Sequence, residues 1–233
     1  MHYADIENAL RGSGLICRGG FRPEPDDAVP SVSGETDVSV VMVGNAGSAI
    51  WPPFTASRPG RRREKESNPM NEWTRQIMIS IAARLGAKVL FPFDGPPYYP
   101  FQRWALKADC VWPSPLGMLI HLRFGLWHAY RAALVFGPGV DLPTPPSGAS
   151  PCVGCAGRPC LSSCPVGAFS ADGYDASACT RHIATPAGEE CMEMSCRARR
   201  ACPVGREFIY RPDHGRFHMS KFLQSHGAKD AEL

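Results

Sequence analysis

The chain has 233 residues, a formal net charge of +3, and 23 glycines beside 23 prolines. This length allows one large or two modest domains with their own cores, and the glycines and prolines predict many turns and long loops. The small net charge does not favour nucleic acid as a partner, and no run approaches the ~20 apolar residues needed to span a bilayer. We therefore expect neither a membrane anchor nor a nucleic-acid partner.

The first 143 residues carry helix and strand patterns in alternation. In chain order the predicted elements are a helix over 3–11, a buried strand over 38–44, a helix over 70–86, a strand over 87–93, a helix over 101–109, and two strands over 116–122 and 129–136 paired like a hairpin. Apolar residues recur every four positions from Trp73 to Leu85 and predict the buried face of the third element. This order predicts an α/β or α+β layer.

Three features outside these elements have simple interpretations. The lone Cys17 is interpreted as a small core residue. Asp94 precedes Gly95, and an Asp-Gly pair is typical of a turn. A basic run is interpreted as a solvated loop, with contact to an anionic ligand or partner as the alternative; it contains Arg58, Arg61, Arg62, Arg63 and Lys65.

The cysteines are concentrated in one stretch. Eight of the ten lie between Pro151 and Pro203, in one group spaced C-x2-C-x4-C-x3-C-P and a second consisting of a single cysteine followed by C-x4-C-x5-C-P. Both groups end in Cys-Pro-Val-Gly. Two-cluster bacterial ferredoxins carry C-x2-C-x2-C-x3-C-P runs, in which the fourth cysteine, before proline, binds the other cluster. The sequence therefore predicts two [4Fe-4S] clusters.

The crossed rule assigns the cysteines to two sets. The first cysteine set, for one cluster, is Cys152, Cys155, Cys160 and Cys202. The second cysteine set is Cys164, Cys179, Cys191 and Cys196. The wider gaps than in the ferredoxin pattern leave the pairing and the cluster type open.

Two other uses of the cysteines compete with clusters. A disulfide framework needs an oxidising compartment, whereas the N-terminal residues lack the apolar core of a signal peptide, so we expect a cytoplasmic protein with free thiolates. Structural zinc also uses sets of four cysteines, commonly as paired short-spaced knuckles. The repeated Cys-Pro and the three-residue gap before the first of them favour iron–sulfur clusters.

A second motif carries a resemblance to known families. The segment Leu116–Pro143 reads LGMLIHLRFGLWHAYRAALVFGPGVDLP. It resembles the core of the methylmalonic aciduria type C family of cobalamin-processing proteins. Its position ahead of a two-cluster domain also resembles the order in epoxyqueuosine reductase and the reductive dehalogenases, where a nitroreductase-like corrinoid domain receives electrons from clusters.

The resemblance implies a fold, a cofactor and site residues. The expected class is α+β, with a nitroreductase-like α/β layer over 1–143, a linker over 144–150, a small ferredoxin-like two-cluster domain over 151–210, and a helical tail over 211–233. A corrinoid such as cobalamin would lie near His121, Gly117, Arg123 and Trp127. Asp94 would be the candidate proton donor.

In the tail, His214, His218 and His226 are interpreted as surface residues.

Two hypotheses follow for the activity. In the first, the protein is an oxidoreductase that uses or processes cobalamin, with clusters passing single electrons from a reductase or flavodoxin to the corrinoid. In the second, it is a plain ferredoxin-like electron carrier that binds no corrinoid and docks a partner protein, steered by the basic run.

Overall fold

A computed structural model describes residues 1–32, 34, 37–61, 68–144, 147–170 and 173–227. Three residues of the basic run, Arg62, Arg63 and Lys65, therefore lie outside the described residues, as do positions 145 and 146 of the predicted linker.

Helices and strands occur throughout the described residues. The helices are Tyr3–Ala9 (α1), Trp51–Ala56 (α2), Arg58–Arg61 (α3), Pro69–Leu85 (α4), Phe101–Ala108 (α5), Pro159–Ser162 (α6), Ala176–Ile183 (α7), Glu189–Met194 (α8), Arg197–Arg200 (α9) and Pro212–Gly227 (α10). The strands are Ile16–Phe21 (β1), Ser39–Ala46 (β2), Lys88–Leu90 (β3), Val111–Pro113 (β4), Leu119–His121 (β5), His128–Phe136 (β6), Phe169–Ser170 (β7) and Gly173–Tyr174 (β8).

The chain divides into two compact units. The first unit contains Met1–Val111 and His128–Gly148, and the second contains Trp112–Trp127 and Ala149–Leu233. Helices and strands occur together in both units, so the α+β class is confirmed. The segment 112–127, which we predicted to belong to the N-terminal layer, groups with the cysteine-rich residues.

The first unit is built on a four-stranded antiparallel sheet. The strand order is β1-β2-β6-β3, and β2 pairs with β6 over its full length, from Ser39 opposite Phe136 to Ala46 opposite His128. Valine-rich β2 is buried almost throughout, as expected for a strand with neighbours on both sides.

Two strands that we predicted to pair with each other do not. β5 pairs with β4 in a separate two-stranded sheet, whereas β6 pairs with β2 and β3. The predicted hairpin is therefore wrong. Adjacent apolar runs do not specify pairing partners, because β6 finds a longer partner in β2, which is distant in sequence.

An apolar cluster on the sheet surrounds Trp104 of α5. The indole is wholly buried among Val40, Met42 and Ala133, and its Nε1 donates to the carbonyl of Asp27 at 2.9 Å. The bond satisfies the polar end of the ring, so a large side chain can be buried without the cost of an unpaired donor.

A buried ion pair joins β1 to the end of α5. Arg18 Nη2 lies 2.7 Å from Asp109 Oδ2, and the side chains are 1% and 9% exposed. Tyr130 of β6 donates its hydroxyl to the same oxygen at 2.8 Å. Gly19 has φ +72°, and a side chain there would overlap the carbonyl oxygen of Ala108, so glycine permits this close approach.

Replacing Asp109 by asparagine is expected to destabilise the first unit by about 3 kcal/mol, because the buried Arg18 would lose its counter-charge. Chemical denaturation measures the change. The control is Asp37→Asn, because Arg22 and Asp37 are 3.9 Å apart and mostly exposed. The stability lost in this control should stay below about 0.5 kcal/mol. Equal losses in both variants would show that burial does not strengthen the Arg18 pair.

The second unit contains the short β7–β8 pair and helices α6 to α10. Helix α10 packs against α7 and α8, and it begins after Arg211 with Pro212 at its first position, where a missing N–H costs nothing.

The prediction that His214 is a surface residue is wrong. His214 is fully buried and stacks on Tyr210 with ring centroids 4.1 Å apart. Among the described residues, no helix is long and apolar enough to cross a membrane.

Candidate metal centre

The first cysteine set surrounds a narrow cavity of the second unit. All four of its cysteines line this cavity, which holds about 390 Å³ of empty space when the open solvent at its mouth is included. The other walls are mostly apolar, and include Leu116, Ile120, Leu126, Pro151, Pro159, Pro203 and Val204. Cys202 thus shares one small, largely apolar space with three cysteines that are distant from it in sequence.

The thiols of this set are close enough to influence one another. Burial raises the pKa of Cys160, and the neighbouring sulfurs of Cys152 and Cys155 raise it further. Burial also raises the pKa of Cys202. The hydrogen bond from the Val204 amide lowers that pKa, whereas the charges of Cys152, Cys160 and Cys155 raise it further. Gathered thiolates repel one another, so a bound cation would stabilise their charged forms.

The thiols of the second cysteine set also lie close enough to influence one another's charge. Burial raises the pKa of Cys179, opposed by a hydrogen bond from Tyr174, and the charges of Cys164 and Cys191 raise it further. For Cys196 burial is again the largest cause of a raised pKa, and Cys179 and Cys191 add to it.

Local structure positions the second cysteine set. Cys179 lies on α7, whose first turn is capped by the Asp175 carboxylate, which accepts from the Ala178 amide at 2.8 Å. Cys191 lies on α8, and Cys196 is the residue immediately before α9. Ser195 between these two helices has φ +71° and ψ 167°, a conformation that is rare for a residue with a side chain and that redirects the chain.

Backbone amides donate to the sulfurs of both sets. The Ala168 amide lies 3.3 Å from the Cys164 sulfur. Amides of Arg199 and Ala198 donate to Cys196, and the Val204 amide donates to Cys202. Such bonds stabilise thiolates and are one of the means by which proteins tune iron–sulfur potentials.

The segment from His121 to Trp127 packs against the cysteine-bearing chain. His121 and Gly125 exchange backbone hydrogen bonds of 2.8 and 3.0 Å, which close a tight turn. A side chain at Gly125 would overlap the carbonyl oxygen of Val204, two residues after Cys202. Arg199 donates its Nε to the carbonyl of Leu126 at 3.0 Å. The motif that we interpreted as a corrinoid neighbour therefore supports the chain around the first cysteine set.

The predicted corrinoid neighbours differ in exposure. Trp127 is fully buried, 5.2 Å from Tyr210 between ring centroids and 4.3 Å from the Arg199 guanidinium. His121 is 8% exposed, while Gly117 and Arg123 are exposed. Two of the four residues are thus occupied in packing within the second unit.

The hydrogen bonds of His121 determine its neutral tautomer. Its Nδ1 accepts the backbone amides of Arg123 at 2.9 Å and Phe124 at 3.0 Å, and its ring stacks on Phe124. Because Nδ1 is an acceptor, the neutral ring carries its proton on Nε2. A histidine that binds a metal through Nε2 normally donates from Nδ1, so this arrangement suits a donor role better than a ligand role.

Asp94 belongs to the first unit, whereas the segment 112–127 belongs to the second unit with the cysteines. Its carboxylate forms an ion pair with Arg75 of α4, whose guanidinium lies 4.7 Å from the Phe91 ring centroid. Both members of the pair are partly exposed. The role of proton donor stays a prediction.

Two kinds of metal site make different demands on these cysteines. Within the described ranges, no three His, Cys, Asp or Glu side chains are grouped to hold a single metal ion. In a four-iron cluster each thiolate binds a different iron atom, so the sulfurs surround a cube instead of converging on one point. The first cysteine set, with its sulfurs around a cavity and amides donating to them, fits that donor arrangement.

Comparisons with known proteins give little further information. No protein-family model matches the chain, and no curated protein matches it. Among solved structures, it is similar to a B12-trafficking protein of C. elegans, CblC, a homologue of human MMACHC, at 13% sequence identity and a TM-score of 0.49, covering 94% of this chain and 95% of the other. At this level of similarity the match assigns neither a fold nor a ligand.

Sequence reasoning overlooked two residues beside the cysteines. Tyr174 lies in the spacer between Cys164 and Cys179, and Arg199 lies between Cys196 and Cys202. Their positions inside the cysteine pattern were the available signal, because side chains between ligands lie close to the site.

Proposed function

We propose that the protein is an electron-transfer protein that holds two [4Fe-4S] clusters, one on each cysteine set, in a ferredoxin-like arrangement. The observation that carries the proposal is the cavity lined by Cys152, Cys155, Cys160 and Cys202. The crossed ferredoxin rule pairs Cys202 with the other three, and their mutual electrostatic influence supports the same grouping.

The residues around each site have distinct roles in this proposal. The eight thiolates hold the iron, and a bound cluster supplies transfer of one electron at a time. Leu116, Ile120 and Leu126 restrict water around the first site, while amide donors disperse the negative charge of the sulfurs. Arg199 secures the loop between Cys196 and Cys202 by its bonds to the Leu126 carbonyl.

The electron acceptor is a separate part of the proposal. The resemblance of Leu116–Pro143 to cobalamin-processing proteins favours a corrinoid, supplied with electrons that come from a reductase or flavodoxin. The packing of His121 and Trp127 inside the second unit favours the alternative of a plain carrier that docks a partner protein. We favour the plain carrier on that observation.

Paramagnetic resonance tests the clusters. Anaerobically prepared protein that has been reduced with dithionite should give signals of reduced [4Fe-4S] clusters, and its broad visible absorption should bleach on reduction. Zinc bound in place of iron, with no visible absorption, would contradict the proposal and establish a structural zinc module.

A titration with cob(II)alamin separates the two acceptors. A plain carrier leaves the visible and paramagnetic-resonance spectra of the cobalt unchanged at saturating protein. A shifted cobalt signal would instead support the corrinoid, and the exposed Arg123 would be the first residue to replace. The cluster signals, recorded in the same samples, show that the protein is loaded in either case.

A further inference from the structure

Tyr174 is held beside the second cysteine set by a short strand pair. It lies on β8 opposite Phe169 of β7, and the two rings stack with centroids 4.7 Å apart and planes 15° from parallel. The Asp175 amide donates to the Ala168 carbonyl at 2.8 Å and continues the pairing. Phe222 of α10 packs near the same ring, with centroids 6.1 Å apart. Strand pairing and ring packing together fix the direction of the phenol.

The phenol of Tyr174 hydrogen-bonds to the sulfur of Cys179. A phenol hydroxyl has one O–H to donate, so in this contact the hydroxyl donates and the sulfur accepts.

We propose that Tyr174 is a positioning residue that raises the reduction potential of the cluster on the second cysteine set. This inference rests on the proposed function. A hydrogen bond to a ligand sulfur disperses negative charge, and reduction adds one negative charge to the cluster. The donor therefore stabilises the reduced state more than the oxidised state, so the potential becomes less negative.

The environment of the first cysteine set differs from that of the second. The described donors to Cys160 and Cys202 are backbone amides, and apolar side chains form much of the cavity wall. The second set has amide donors to Cys164 and Cys196 and, in addition, the phenol. The asymmetry makes the second cluster the preferred holder of an electron that enters at either site.

A redox titration of anaerobically cluster-loaded protein tests the inference with Tyr174→Phe. Phenylalanine keeps the ring stack on Phe169 and removes only the hydroxyl. We expect one of the two couples to shift to a more negative potential and the other to stay in place. The couple that Cys179→Ser also moves identifies the second cluster. Tyr98→Phe is the control, because Tyr98 is 63% exposed and belongs to the first unit.

Three outcomes are distinguished by the iron and sulfide content of the same samples. A selective negative shift at full cluster content supports the role of Tyr174. Full content with both couples unmoved, or with both moved equally, overturns the role and leaves the proposed function intact. Absence of iron and sulfide from the wild-type protein overturns the proposed function itself.

Discussion

Replacement of either Cys160 or Cys202 by alanine is expected to remove the same cluster. Both thiols line one cavity with Cys152 and Cys155, although Cys202 is distant in sequence. Loss of one of four ligands leaves an iron atom without its thiolate, so each variant should retain about half of the iron and sulfide. The remaining paramagnetic-resonance spectrum should be the same in the two variants, because both keep the second cysteine set.

A double variant and a control sharpen this test. Combining Cys160→Ala with Cys202→Ala should lose no more iron than either change alone. Cys17→Ala should keep the full content, because Cys17 lies in the first unit and burial raises its thiol pKa to about 12, which makes it a poor ligand. Different residual spectra in the two single variants would refute the crossed assignment.

Replacement of Gly125 by alanine is expected to disrupt the second unit. Gly125 has φ +56°, and a Cβ there would overlap the carbonyl oxygen of Val204. The left-handed conformation costs about 1–2 kcal/mol for alanine, and displacing packed backbone adds more, so we expect a loss above about 4 kcal/mol. Because Val204 lines the cavity of the first cysteine set, this variant should lose the cluster of the first set more readily than the cluster of the second set.

Gly117→Ala is the matched control for this prediction. Gly117 has φ +73°, but among the described residues no atom beyond its two chain neighbours lies within 4 Å of the position that its Cβ would occupy. The stability lost in Gly117→Ala should therefore be the conformational cost alone, about 1–2 kcal/mol, and both clusters should be retained. Thermal unfolding and iron content measure both effects. If the two variants behave alike, the close packing of Gly125 on Val204 does not support the first site.

The elements that could be predicted from the sequence are those with a strong local pattern. Helix α4 follows from its apolar spacing and from Asn68 and Gly86 at its two ends. The valines of β2 indicate a strand buried on both faces. Pairing partners could not be predicted, because a periodic pattern says which face is buried and not which strand is adjacent.

The candidate site shows the same limit. The crossed ferredoxin rule predicted the two cysteine sets from the sequence, and their role as cluster ligands stays a prediction. The role of the segment from His121 to Trp127 was not visible in the sequence, since its packing on Val204 and Arg199 depends on residues more than 70 positions away. His214 was misjudged for a related reason, because stacking on Tyr210 buries a side chain whose type usually faces water.

Chemical analysis of iron and acid-labile sulfide in anaerobically purified protein is the most direct test of the two proposed clusters. Two [4Fe-4S] clusters require iron and sulfide in equal amounts, so we expect about eight of each per chain. About four of each would leave one cysteine set without a cluster. Zinc without sulfide, or cysteines joined in disulfides, would show that the protein holds no iron–sulfur cluster.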